Sequence, residues 1–346
     1  MEKNDLIYEK PLIGQTMSEL EIFAERLGEE SFRGRQLFDW IYRQQIYDFS
    51  VMTNLSKSFQ KKIKTIPIQP LKILKHDISI SKLTRKFLFE LTDGNQIESV
   101  LMKEGNRITV CVSTQVGCAV DCNFCATAKM GFKKNLTAGE IVDQFLQLQK
   151  IISEKITNVV FMGMGEPFLN YGNSITAANL LHNPKGINMG AGRITLSTAG
   201  IIPKIRQFTE ENLPYKLAVS LNGSNSAQRF KTMPVTKTHS FKDLIKASKE
   251  YAYKSRNRIT FEYVLMAGIN DKPRDAERLK HLLNSMHCKL NVIPYNEIGG
   301  QYQRPEDKAI EAFLNPLKNA GFSVTIRWSK GIEIEAGCGQ LVTMNQ

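Results

Sequence analysis

The sequence predicts an α/β chain: a parallel sheet with helices packed on it, open or curled into part of a barrel, preceded by a small helical domain. Three observations carry that prediction. From residue 158 onward, short apolar segments alternate with amphipathic ones, the signature of strand–helix–strand units joined by right-handed crossovers. Before them, Cys118, Cys122 and Cys125 crowd into eight residues directly after a strand-like run. The first 80 residues, in contrast, repeat their apolar positions at helical intervals.

In chain order, Ser18 and Glu21 have the spacing of a capping box, and Leu20, Phe23, Ala24 and Leu27 fall on one helix face. Leu37, Phe38, Trp40 and Ile41 mark a second helix. The lysine-rich stretch 57–75, interrupted by Pro67 and Pro70, reads as a helix end and a linker. It divides the chain into an accessory unit, 1–80, and a larger unit, 81–346. Phe87, Phe89 and Leu91 alternate as a strand does, 96–102 follows the Asp93-Gly94 turn, and 107–114 is rich in β-branched residues. Further strands are expected at 158–163, 193–198, 216–221, 258–266, 289–294 and 323–328, with helices near 137–152, 202–211, 241–254, 274–286 and 305–320. In such a fold the chemistry belongs at the carboxyl ends of the strands.

Composition narrows the class. With 346 residues and 42% apolar content, the chain can bury a large core. No apolar run reaches the roughly 18 residues of a membrane span, and Met1, Glu2, Lys3, Asn4 and Asp5 lack the apolar centre of a signal peptide. The expectation is a cytoplasmic protein with no membrane association. The net charge of +12 attracts polyanions such as RNA. Lys57, Lys61, Lys62, Lys64, Lys72 and Lys75 make the accessory unit the expected RNA contact, with Lys133 and Lys134 as the other candidate patch.

Six cysteines in a chain of this length, three of them between 118 and 125, suit metal ligation better than a disulfide framework. A structural zinc site wants four protein ligands, usually as two pairs. Here no second Cys-x-x-Cys or His pair follows, and His182, His281 and His287 are scattered. A [4Fe–4S] cluster on three cysteines leaves one iron open to a small molecule, as a reactive site needs. Zinc in a non-catalytic RNA-binding protein stays open at this point.

Cys118-Ala-Val-Asp-Cys122-Asn-Phe-Cys125 resembles the C-x₃-C-x₂-C signature of radical S-adenosylmethionine (SAM) enzymes, including the aromatic Phe124 before the last cysteine. Three stretches, Cys111-Val-Ser-Thr-Gln-Val-Gly-Cys118, Phe161-Met-Gly-Met-Gly-Glu166-Pro167 and Cys338-Gly-Gln-Leu341, are similar to those of RlmN-type RNA methyltransferases and their relative Cfr. The similarity covers nearly the whole chain. It implies a partial (β/α)6 radical-SAM barrel with a strand extension at its start, a [4Fe–4S] cluster on Cys118, Cys122 and Cys125, and SAM as cofactor.

The resemblance also implies roles. SAM contacts fall on Gly165 and Glu166, the latter holding the amino group of the methionine portion, and on Ser197, Ser220, Leu221, Asn222 and Asn296. Cys338 accepts a methyl group from one SAM, and a radical made from a second SAM takes a hydrogen atom from that methyl. The carbon radical then adds to carbon 2 of an adenine, an electron-poor position that cannot attack a sulfonium methyl itself. Glu98 accepts the ring proton while Cys111 attacks the sulfur of Cys338, leaving a disulfide for thiols to reduce. The substrate implied is 23S ribosomal RNA, with transfer RNA as an addition. An external one-electron reductant and a thiol reductant are needed.

Departures mark this chain. The family commonly has Ser-Leu-His where Ser220-Leu221-Asn222 stands, and Glu333-Ile-Glu335-Ala-Gly337-Cys338 replaces a segment usually carrying aspartates and a second alanine. Pro167 favours the RlmN branch over Cfr, which acts on carbon 8. Cys288 matches no family motif and reads as structural. Radical chemistry on a protein or a small metabolite is the remaining enzymatic alternative, and it leaves the basic accessory unit without a purpose.

Overall fold

In the computed structural model, which describes residues 10–255 and 257–343, the chain opens with three helices, α1 (Met17–Arg26), α2 (Phe32–Phe38) and α3 (Lys57–Ile63). The reading of Met1 to Asp5 lies outside the described residues. Helix α1 is capped by Thr16 rather than Ser18: Glu19 Oε2 accepts from the Thr16 amide at 2.7 Å, and the Thr16 hydroxyl accepts from the Glu19 amide. Glu21 is occupied instead by Arg35 of α2, at 2.6 Å. Helix α2 continues as a π-helical turn that buries Trp40, Ile41 and Tyr42.

The helix end read within 57–75 is the close of α3, while the reading of its remainder as a linker is corrected. After α3 the chain forms β1 (Leu71–Ile78), the outermost strand of the main sheet, antiparallel to β2 (Thr84–Leu91). Most of its side chains are exposed or half-buried, and its lysines are those of an edge strand protected by charge. Strand β3 (Gln96–Glu104) pairs antiparallel with β2 and with β4 (Arg107–Cys111). Beyond β4, a separate two-stranded hairpin, β5 (Gln115–Gly117) and β6 (Phe132–Asn135), encloses the short helix α4 (Ala126–Lys129).

From there helices and strands alternate as expected: α5 (Ala138–Ile151), β7 (Asn158–Phe161), α6 (Tyr171–His182), β8 (Ile194–Thr198), α7 (Ile202–Glu210), β9 (Lys216–Ser220), α8 (Ser226–Thr232), α9 (Phe241–Lys254), β10 (Ile259–Leu265), α10 (Pro273–Leu283), β11 (Cys288–Pro294), α11 (Asp307–Leu314) and β12 (Ser323–Ile326). Strands β4 and β7 to β12 run parallel in that order. They form the partial barrel, and β1 to β3 extend it at one edge. Helices α6 and α8 had not been expected.

Capping and close packing fix the register. Thr137 and Glu140 close a reciprocal capping box at the start of α5. The accessory unit docks on that helix where a Cβ on Gly14, at φ +105, would lie 2.5 Å from the Gly139 Cα, so two glycines permit the contact. One continuous apolar core runs from Leu12 through both units. After β12 the chain returns across the open side of the barrel. Lys330 pairs with Glu104 at 3.2 Å, and the Ile80 amide donates to Glu333 Oε1 at 3.0 Å, which brings Cys338 back over the strands. Among the described residues, no helix is long and apolar enough to cross a membrane.

Candidate active site

The cysteine loop is pinched at its base by the β5–β6 hairpin. The Cys118 amide donates to Gly131 O at 2.9 Å, the Cys125 amide to Cys122 O at 3.0 Å, and the Ala126 amide to Gly339 O at 2.7 Å. The last bond ties the loop to the segment that carries Cys338. All three thiols line one cavity at the carboxyl ends of the parallel strands, together with Cys111, Gly165, Glu166, Ser197, Ser220, Asn222 and Cys338. Val120, Ala199 and Met233 form an apolar wall against Cys118 and Cys122.

These residues fit an iron–sulfur cluster. Burial pushes the Cys118 thiol up to about 12, while an N–H from Val120 favours its thiolate. Burial also raises Cys122 well above the usual thiol range, opposed by the nearby Arg229 cation. Such amide and cation contacts stabilise sulfurs that carry charge to iron. Among the described residues, no three His, Cys, Asp or Glu side chains close round one point as a single ion requires. Three thiols also leave a structural zinc site one protein ligand short of its usual four.

Glu166 sits beside the thiols, 3% exposed. Its Oε1 accepts from the Phe168 amide at 2.9 Å and its Oε2 from the Ala199 amide at 2.6 Å. Burial pushes its carboxyl up to about 7, against those bonds and the Arg229 charge, so a cation placed against it would favour the carboxylate. Gly165, at φ +95, brings the backbone against Gln115: an added Cβ would lie 2.5 Å from the Gln115 Cβ. Asn222 also takes a left-handed backbone, φ +52, which asparagine tolerates better than most residues. Its Oδ1 accepts from the Val264 amide at 2.8 Å, so the departure from histidine tethers β9 to β10.

Cys111 and Cys338 face the same cavity from the end of β4 and from the returning C-terminal segment. Cys111 is buried, and loss of hydration pushes its thiol up to about 12. Cys338 is exposed, but to the cavity, whose walls surround it, and its thiol rises to about 11 for the same reason, with Arg327 pulling the other way. Asn296 does not line the cavity; its Nδ2 donates to Cys338 O at 2.9 Å and holds that segment. Leu221 is fully buried outside the lining.

Glu98 lies on the same face of β3 as Val100 and Met102 but outside the cavity lining. Lys86 holds its Oε1 at 3.0 Å, with both side chains almost fully buried, and the Val342 amide donates to its Oε2 at 2.9 Å. Burial raises its carboxyl and Lys86 pulls it down. Cys288 is buried in the core with its thiol toward Leu283 O.

Sequence reasoning missed Arg229. It is fully buried, and its Nη1 donates to Ser220 O at 2.6 Å and Leu221 O at 2.9 Å, while its Nη2 donates to Ala199 O. It joins the ends of β8 and β9 behind the cysteines. The one signal was an arginine in the short, weakly patterned segment that becomes α8. Of the accessory lysines, Lys57, Lys61 and Lys64 border a groove with Tyr47 and Gln60. Lys62, Lys72 and Lys75 pair with Glu29, Glu90 and Asp77, and Lys134 pairs with Asp93 and Glu140.

Known proteins share this arrangement. Residues 10–68 match the family described as ribosomal RNA large subunit methyltransferase N-terminal domain, and residues 112–279 match the radical SAM superfamily. A protein of Alkaliphilus oremlandii named probable dual-specificity RNA methyltransferase RlmN is 41% identical over 343 residues, covering 99% of this chain and 98% of its own. One of the same name from Thermotoga maritima is 44% identical over 333 residues, 96% of this chain and 97% of its own. The crystal structure of a radical SAM methyltransferase from Sphaerobacter thermophilus superposes with a TM-score of 0.91 at 40% identity, covering 96% of this chain and 98% of that one.

Proposed function

The chain belongs to the RlmN family of radical SAM RNA methyltransferases, and from that premise we propose that it methylates carbon 2 of adenine in 23S ribosomal RNA and in transfer RNA through a methyl group carried on Cys338. The observation that carries the proposal is the shared cavity. Two thiols far apart in sequence, Cys111 and Cys338, face the space bounded by Cys118, Cys122 and Cys125, where a purely structural role would not need them together.

In this reading Cys118, Cys122 and Cys125 hold the cluster, and Glu166 accepts hydrogen bonds from the ammonium of SAM, where its buried carboxylate has most effect. Gly165 lets the backbone approach that ligand, with Ser197, Ser220 and Asn222 at the strand ends around it. When bound, cluster and SAM supply a carbon-centred radical able to take a hydrogen atom from a methyl group. The Cys338 thiolate, its proton released to solvent, takes the methyl of SAM as a thioether while S-adenosylhomocysteine leaves, and Asn296 fixes the segment that presents it. The methylene radical formed on Cys338 bonds to carbon 2, and the radical adduct gives up one electron, for which the oxidised cluster held by Cys118, Cys122 and Cys125 would be the acceptor. Glu98 takes the ring proton once Val342 moves off its Oε2. Cys111 then attacks the Cys338 sulfur, the carbon–sulfur bond breaks toward the RNA carbon, which gains a proton, and a thiol reductant reopens the disulfide.

The test is anaerobic reconstitution with iron and sulfide, then reaction with RNA, reductant and SAM bearing a trideuterated methyl group. Digested RNA is expected to yield 2-methyladenosine retaining two of the three deuteriums. Methyl transfer with all three, or product at carbon 8, would overturn the proposal.

A further inference from the structure

A second cavity, of about 720 Å³, lies at the amino ends of the barrel strands and meets the first at Met102, Met162, Glu262, Arg327 and Cys338. The interior of a barrel is ordinarily filled by branched apolar side chains. Here Thr109, Thr195, Thr260 and Asn291 line it instead, so this half of the barrel is a polar passage rather than core. Its size is that of a ligand site.

The passage is ringed with positive charge. Arg107 opens β4, Lys216 opens β9, Arg258 immediately precedes β10 and Lys289 is the second residue of β11. Among the described residues, none of these four forms an ion pair, whereas Lys103 and Lys330 on the same rim are paired with Glu154 and Glu104. Glu262, which accepts from Asn291 Nδ2 at 2.7 Å, and Glu104 are the carboxylates of the lining. Partial burial lowers the Lys216 ammonium, and the charges of Arg107, Arg193, Lys289 and Arg258 lower it further. Gathering like charges disfavours folding, and an anion seated among them relieves the repulsion. Trp328, half exposed at the rim with the Arg304 guanidinium 5.2 Å from its ring centre, offers a stacking face to a base.

We propose that this passage admits the RNA strand: phosphates flanking the target adenine seat on Arg107, Lys216, Arg258 and Lys289, and the unpaired adenine reaches Cys338 from below. The proposal rests on the RNA-methylating function above. It moves the principal phosphate contact from the accessory lysines to the barrel's amino end. An adenine inside a helix cannot enter, so the passage selects single-stranded or extruded bases.

The test compares the reconstituted enzyme with a Lys216→Gln, Arg258→Gln double variant and a Lys57→Gln, Lys61→Gln control, using a hairpin RNA with a loop adenine. The slope of log affinity against log salt is expected to fall by roughly 1.4 for two lost single-strand phosphate contacts in the barrel variant. KM rises with it, and the melting temperature stays level or rises because repulsion has been removed. A structural role for the two cations would lower the melting temperature instead. Unchanged slope and KM in an enzyme that methylates RNA, or a loss of slope confined to the accessory variant, overturns the passage and leaves the reaction standing. Absence of any RNA methylation by the unaltered chain removes the functional reading and this proposal with it.

Discussion

Arg229 shows how much of the site depends on a single side chain that touches no reacting atom. Its guanidinium satisfies three backbone carbonyls at the ends of β8 and β9, and burial lowers it only to about 10, so it stays charged at neutral pH. Arg229→Met leaves those carbonyls unpaired in a dry wall, at about 1–3 kcal/mol each. Urea denaturation should show that loss, and a variant as stable as the parent would contradict it. Lys86 plays the corresponding part for Glu98. Lys86→Met strands a buried carboxylate and is expected to cost roughly 3–5 kcal/mol at neutral pH, whereas the Lys86→Met, Glu98→Gln pair restores much of it, as read in the same denaturation experiment. A double variant no better than Lys86→Met would place the loss elsewhere.

At the scale of elements, Asp143 joins the start of β1 to α5. Its carboxylate accepts from the Leu71 amide at 3.1 Å and from Gln69 and Gln147, yet burial pushes it up to about 6. The folded chain holds this proton more tightly than the unfolded one. Its contribution to stability is therefore full below about pH 4 and declines as pH rises, until it is lost above the folded value of about 6. The stability difference between the parent and Asp143→Asn is expected to shift toward the variant by up to about 3 kcal/mol between pH 4 and 7. A difference independent of pH would contradict this.

That junction is also where the sequence was hardest to read. Strand β1 has one buried residue and exposed lysines, so its pattern shows neither alternation nor an apolar run, and Pro67 and Pro70 suggest a linker. Helix α6 was obscured by Gly172, Asn173 and a run of small residues, α8 by its length of seven residues. The central parallel strands were legible because most of their residues are buried, as in β7, β10 and β11, which favours apolar runs. The cysteine triplet was equally plain, since three cysteines within eight residues stand out from the rest of the chain. Arg229 and the cation ring were not, because their meaning comes from strands distant in sequence.

For the whole molecule, the open barrel and the returning C-terminal segment are one device. Cys338 stands where the cysteine-lined cavity at the carboxyl ends of the strands meets the cation-lined cavity at their amino ends. The segment that carries it is held by Asn296, Glu98 and the cysteine loop. A sulfur placed at that junction can meet SAM on one side and a base on the other. Loss of the cluster by substitution of Cys118, Cys122 or Cys125 is expected to abolish the brown colour and all methylation while leaving RNA affinity intact. Reconstituted protein holding stoichiometric zinc without iron would contradict that.

In the proposed reaction the two outlying thiols perform different steps. The most direct measurement is a denaturing gel of reconstituted Cys111→Ala, Cys338→Ala and doubly substituted protein after reaction with SAM, reductant and labelled RNA, with iron content measured on each. Cys111→Ala should accumulate a covalent protein–RNA band, because the base is attacked but not released. Cys338→Ala and the double variant should show neither band nor methylated RNA while retaining iron. A Cys111→Ala enzyme that turns over like the parent and forms no adduct would contradict the account.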